Sequence, residues 1–297
     1  MRYFIFLVFF SLFSSLGFAN KMDSLQSDSD VYRFLITIDS NYRGLNVNAF
    51  NIIYSDPAER KIADSLHIKM WQKIDLNNDG QTDILVYGYS NVAKLFLIAY
   101  DHGKYDIYDV PINTMPFTVF PIIKKDGDNT YLELNYDNKI KGSAETTIPI
   151  QLHNRRFIYK FNVFIEPNTN SFEHTIESIT YSSEGCKGEC PVFTLSINAK
   201  GKAVYESKKY SGEHGKYHAT IDSSSFNKII CILNYIGFPK LLDNYNMRSV
   251  NQPTCYLTIT YDDGKVKKIK DYGEEGTNGL VALYDKLIEL RETQVWK

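Results

Sequence analysis

Tryptophan is scarce in this chain, two in 297 residues, against 22 tyrosines and 18 phenylalanines. Beyond residue 19 no apolar run reaches the roughly 20 residues that a membrane-spanning helix needs. A charge excess is also missing, since 33 Lys and Arg stand against 35 Asp and Glu. That balance gives nucleic acid or anionic lipid no electrostatic footprint. The basic run KVKKIK at 265–270 alternates with apolar residues and reads as the solvated face of a strand. Signatures of chemistry are missing too: no G-x-S-x-G elbow, H-E-x-x-H, P-loop or dinucleotide glycine fingerprint occurs. No catalytic residue can be named and no organic cofactor is indicated.

Histidine is equally sparse, at 67, 102, 153, 174, 214 and 218, and only His214 and His218 lie close in sequence. On a helix their spacing would build a zinc site, with Cys186 and Cys190 as further ligands. On an extended chain they stand about 13 Å apart at roughly 3.3 Å per residue, too far to share an ion. Exposed loop histidines are the expectation.

What is present begins at the N-terminus. Arg2 precedes an apolar stretch from Tyr3 to about Phe13, then SSLGFAN, with Gly17 and Ala19 as small residues at −3 and −1. This predicts a signal peptide over 1–19, cleaved after Ala19. No cysteine sits at the cleavage point, which argues against a bacterial lipoprotein. Cleavage removes Arg2 and no acid, so the formal charge moves from −2 to −3. The mature chain then has no membrane segment and is exported to the periplasm, the outer surface or the medium. Residues 20–30, NKMDSLQSDSD, read as a flexible start.

All four cysteines lie in the C-terminal half, as an oxidising compartment allows. In CKGEC, Gly185 and Gly188 permit a tight path, and a Cys186–Cys190 bridge is favoured over free thiols. Thiol chemistry at Cys190 is weak by comparison: the spacing is not C-x-x-C and no thioredoxin-like unit precedes it. Cys255 alternates with Leu257 and Ile259 and should face a core. Cys231 lies off the main apolar stripe of a helix, so its pairing with Cys255 stays open.

The pattern predicts an α+β protein of two domains. Residues 31–165 form a β-rich domain, with DILVYGYS, KLFLIAYDHGKYDIYDV, FTVFPII and NTYLELNY as strands. One helix is expected from Pro57 to Leu66, capped by Asp56. Residues 166–172 read as a linker, because FNVFI gives way to Pro, Asn, Thr and Ser. Residues 173–297 form a two-layer α+β domain, an antiparallel sheet with two helices. The first helix carries Phe226, Ile229, Ile230, Leu233 and Ile236, begins at Asp222 or Ser223 and ends at Gly237. The second runs from about Asn278 to Thr293, and a hairpin turns on Asp263-Gly264.

The stretch DLNNDGQTDILV places Asp75, Asn77, Asp79 and Asp83 at loop positions 1, 3, 5 and 9. Gln81 can offer a carbonyl at position 7, and Gly80 allows the reversal. Hard cations take six to eight such oxygens, and three carboxylates at one turn repel without a counter-ion. An EF-hand is excluded because position 12 is Val86 and a strand follows. Residues 69–88 instead resemble one calcium loop of FG-GAP and VCBS-type β repeats, the blades of integrin-like propellers. No second copy is found, so a complete propeller is not expected. The resemblance implies a structural Ca²⁺ held by Asp75, Asn77, Asp79, Gln81 and Asp83. A plain polar hairpin turn is the rival reading.

The run from Glu177 to Ser207, ESITYSSEGCKGECPVFTLSINAKGKAVYES, is similar to the domain of unknown function 6438, frequent in exported proteins of Gram-negative bacteria. Its C-x-G-x-C-P-x-[YF] signature is matched by Cys186, Gly188, Cys190, Pro191 and Phe193. FPKLLDNY, NQPTCYLTITYDDGK and the helix ending near Trp296 fit its outline, with Asn251 where an Asp is expected. The resemblance implies a small exported α+β domain and supplies no activity. Together these readings make a non-enzymatic exported module that binds an envelope protein, peptide or glycan the leading expectation. A secreted hydrolase with a dispersed site is the alternative.

Overall fold

The computed structural model describes residues 20–101, 103–112, 118–127, 129–137, 152–247 and 250–297, so the signal peptide expected at 1–19 lies outside them. The architecture is α+β throughout, with antiparallel sheets predominating. Two compact units form. One takes Met1–Ser55, Lys69–Asp75 and Asp79–Asp109, the other Asp56–Ile68, Leu76–Asn78 and Val110–Lys297.

In the first unit, residues 20–30 depart from the expected flexible start. Asn20 caps a 3₁₀ turn over Lys21–Ser24, and Met22 is fully buried. Ser27 and Asp30 then close a reciprocal capping box at the head of α1 (Asp28–Ile38). Oxygen-rich side chains that look like a solvated tail are here satisfying the free N–H groups of helix starts. Val31, Phe34 and Leu35 lie one turn apart on α1 and are buried. They join Ile84, Val86, Phe96 and Ile98 in one core.

After the short α2 (Phe50–Ile53), the strands β1 (Trp71–Ile74), β2 (Asp83–Ser90), β3 (Val92–Asp101) and β4 (Lys104–Asp109) form an antiparallel meander. Trp71 Nε1 donates to Asp28 at 2.7 Å, tying β1 to the first turn of α1.

The second unit contains α3 (Pro57–Ser65), with Asp56 as its cap and Pro57 in the first turn, as predicted. A second meander follows: β5 (Val119–Asp126), β6 (Asn129–Asp137), β7 (Leu152–Lys160) and β8 (Val163–Ile165). The linker expected at 166–172 therefore lies within this unit rather than at its border.

Beyond it come β9 (Ile176–Glu184), β10 (Val192–Asn198), β11 (Lys202–Lys209), β12 (Gly215–Thr220), α4 (Ser223–Ile236), β13 (Asn244–Asn246), β14 (Thr254–Tyr261), β15 (Lys265–Tyr272) and α5 (Asn278–Thr293). The seven strands run in the order β12-β11-β10-β9-β14-β15-β13, antiparallel except at the short β13–β15 edge. Period-2 alternation sends Ile179, Leu195, Leu257 and Ile269 inward, where they share a core with Ile229 and Leu233 of α4 and Leu283 and Leu287 of α5. At roughly 1.5–3 kcal/mol for each fully buried aliphatic side chain, this core holds the helices on one face of the sheet.

Asp222 accepts the Ser225 N–H at the start of α4, and Gly237 ends it in the left-handed region at φ 61°. Thr277 accepts the Leu280 N–H at the start of α5. The β14–β15 turn carries three positive φ angles in succession, at Asp262, Asp263 and Gly264.

Candidate functional site

The loop of residues 75–83 is braced by its own backbone. The Asp75 carboxylate accepts N–H bonds from Asp79 at 3.1 Å and Gly80 at 3.0 Å, and Asp79 accepts from Gln81 at 2.7 Å. Gly80 has φ 81° with open space around its Cα, so the turn selects glycine for its backbone angle and not for room. Asp83 is fully buried at the start of β2, where its Oδ1 accepts the Tyr100 N–H at 3.2 Å. Asn77 falls with the second unit. Among the described residues no group of three or more His, Cys, Asp or Glu side chains is placed to hold a metal ion. The five residues fit calcium in ligand type and in order along the chain.

Cys186 and Cys190 are bridged, with Cα atoms 5.6 Å apart. The two glycines are not what permits this. Neither has a positive φ, and an added Cβ would lie 3.4 Å from Val192 at Gly185 and 3.7 Å from Cys186 Sγ at Gly188. Cys231 and Cys255 are both free, the first exposed and the second buried. Cys255 Sγ lies 3.1 Å from Tyr181 Oη and 3.7 Å from the Glu274 carboxylate. Burial pushes the thiol up to about 12, which leaves negligible thiolate at neutral pH and makes it a core residue. Directly across from it on β15, Asp271 is also fully buried and accepts the Glu275 and Gly276 N–H groups at 2.8 and 3.0 Å. His218 stands on β12 opposite Val204, in extended backbone, with His214 in the preceding turn.

The residues that enclose a cavity are ones the sequence reading passed over. A cleft of about 380 Å³ lies between the segment 166–174, the end of α4 with its 3₁₀ extension Phe238–Lys240, and Thr277 at the start of α5. This size falls within the usual range for ligand clefts. The segment read as a linker, 166–172, runs on to His174 as a strap sewn down by three side chains. Glu166 accepts the Asn278 and Gly279 N–H groups at 2.8 and 3.1 Å. Asn168 donates from Nδ2 to the Tyr235 carbonyl at 2.5 Å and from its backbone N–H to the Tyr235 hydroxyl at 2.9 Å. The His174 ring is joined through Nδ1 to Asp262 Oδ2 at 2.7 Å and packs edge-on against Phe238 and Tyr261.

Between these stitches Phe172 remains 61% exposed, with the Lys240 ammonium 5.3 Å from its ring centroid. The His174 bond, followed by the Thr175 N–H, lowers the pKa of Asp262. One signal for the strap was available in the sequence: a phenylalanine isolated in a run of Pro, Asn, Thr and Ser.

A disulfide-looped, two-layer α+β unit with a cleft at the ends of its helices is thus the class defined by the fold. Residues 177–291 match the family model of a domain of unknown function (DUF6438), which bears out the resemblance seen at the Cys-Gly-Cys-Pro signature. The strap, residues 166–174, lies just ahead of that match. No curated protein matches the chain.

Proposed function

We propose that the protein is an exported, non-enzymatic binding module whose ligand seat is the strap cleft. The observation that carries this reading is a cleft whose walls are tied by hydrogen bonds, with an exposed aromatic, Phe172, at its edge. Cavities of this kind, mostly apolar with a few placed polar groups, are the usual small-ligand and peptide seats. Export is supported by the leader-like N-terminus and by the Cys186–Cys190 bridge, since such bridges persist in oxidising compartments. The partner is an envelope protein, a peptide or a glycan. Loop 75–83 is proposed to take Ca²⁺ as a structural ion, on the strength of its ligand spacing.

A second reading, hydrolysis, is favoured by the His174–Asp262 pair on the cleft wall, because an imidazole oriented by a carboxylate is how general bases are built. Against it, no hydroxyl or thiol is hydrogen-bonded to His174 among the described residues. Both Glu166 oxygens are already engaged by α5.

The test is capture from the protein's own envelope fraction by the mature chain, compared with Phe172→Ala and with Val266→Ala, which alters an exposed residue on β15. Capture should be lost with Phe172→Ala and kept with Val266→Ala. Equal capture by all three would remove the cleft from the reading.

A further inference from the structure

We infer that the cleft takes a carboxylate carried on an apolar stem; this rests on the cleft being the ligand seat. Its walls contribute Pro167, Phe172, Ile236, Pro239 and Leu241 as apolar surface, and Glu166, His174 and Lys240 as charged or titratable groups. Two of those three are already committed. Glu166 caps the first turn of α5, where the helix dipole offsets its negative charge. His174 is held by Asp262, which also has Lys265 at 3.9 Å.

Lys240 differs from both. It makes no ion pair among the described residues, and its only charge contact is the face of Phe172 at 5.3 Å. The cleft therefore offers one uncompensated cation at the edge of an apolar hollow. An anionic ligand end gains a charge-assisted hydrogen bond there, and an aliphatic or aromatic stem covers the exposed Phe172 ring. An amine in the same place meets repulsion from Lys240, and a neutral amide loses the charge term. A free acid and the C-terminal carboxylate of a peptide share this chemistry.

The experiment titrates ¹⁵N-labelled mature protein with 3-phenylpropionate, 3-phenylpropanamide and 3-phenylpropylamine, following backbone amide shifts. N-acetyl-Gly-Phe and its C-terminal amide are added to separate a peptide source from a free acid. We expect the acids alone to move the amides of Phe172, Lys240 and Leu241. Lys240→Gln, which keeps the stem, should weaken the acid about tenfold or more, as loss of a charged hydrogen bond does. If the amide or amine moves the same signals as strongly, the anion preference is overturned while the cleft stands as a seat. If no probe moves them, the inference falls, and the Phe172→Ala capture result decides separately whether the cleft is a seat at all. Binding of phenylpropionate without acetyl-Gly-Phe assigns the site to free acids, and the reverse assigns it to peptide termini.

Discussion

His174 Nδ1 lies 2.7 Å from the Asp262 carboxylate across 88 residues of chain, and the residue after His174 completes the joint. The Thr175 N–H donates to Asp262 Oδ1 at 2.9 Å, and the Asp262 N–H returns a bond to the Thr175 carbonyl at 3.0 Å. This triple link pins the end of the strap to the β14–β15 turn. Asp262→Ala should free it: amide exchange at Thr175 should accelerate while the β9 and β14 core amides keep their protection. Unchanged exchange at Thr175 would show that the carboxylate does not hold the strap.

Glu166 anchors the other end. Removing its carboxylate leaves the Asn278 and Gly279 N–H groups without their acceptor, with Thr277 still capping Leu280. Loss of a helix cap costs about 1 kcal/mol, so Glu166→Ala should lower unfolding stability by about that amount in urea titrations. Glu166→Gln, which keeps an acceptor oxygen, should lose less.

The Cys186–Cys190 bridge closes a loop with a sequence separation of 4. Chain-entropy bookkeeping for so short a loop gives a stabilisation of about 2 kcal/mol. The double change Cys186→Ser with Cys190→Ser should lower the urea midpoint accordingly and leave Cys231 as the accessible thiol. In the unaltered protein, alkylation of Cys186 and Cys190 without reductant would contradict the bridge.

Calcium binding to the loop of residues 75–83 is expected to raise the melting temperature, and EDTA to lower it. A hundredfold excess of ion over Kd adds about 2.7 kcal/mol to a folded state that alone binds it. Asp75→Asn should abolish the response, because Asp75 is the residue around which the loop's N–H groups gather. A melting temperature indifferent to both EDTA and Ca²⁺ would leave the rival reading, a polar turn held by its own hydrogen bonds.

Two acids beside Cys255 set the expected pH response. Burial raises the pKa of Asp271 above 3.8 despite its two backbone N–H donors, and burial raises that of Glu274 above 4.5. A raised carboxylate binds its proton more tightly in the folded state, so the contribution of these two groups is fully present below those ordinary values and is lost as pH climbs through the raised ones. Asp30, Asp222 and Asp262 are shifted down, and they act in the other window, losing their contribution as pH falls below 3.8. Urea midpoints measured from mildly acidic to neutral pH should therefore fall with rising pH, and Glu274→Gln should flatten that slope. An unchanged slope in the variant would remove Glu274 from the account.

The elements that could be read from sequence were those whose signals are local. Asp56 before Pro57, Asp222 before the α4 stripe, and Gly237 after it each mark a helix end within a few residues. Helix α1 was missed although Ser27 and Asp30 spell out its capping box, because they sit in a polar run that composition alone assigns to a tail. The inward turn of Cys255 followed from its alternation with Leu257 and Ile259. The cleft had no such signature, since Glu166, Phe172, Lys240 and Thr277 share no period and meet only after the sheet and both helices have packed.

That dependence sets an order of events. The partners of Glu166 lie 112 and 113 residues further along the chain, and those of Asn168 lie 67 residues on. Contacts of such separation close late, because the intervening chain must first give up its freedom. The Glu166 end of the strap therefore has its acceptor bonds only when α5 is in place. A chain in which α5 has not docked lacks the Thr277 wall of the cleft, so ligand capture would report on finished molecules only.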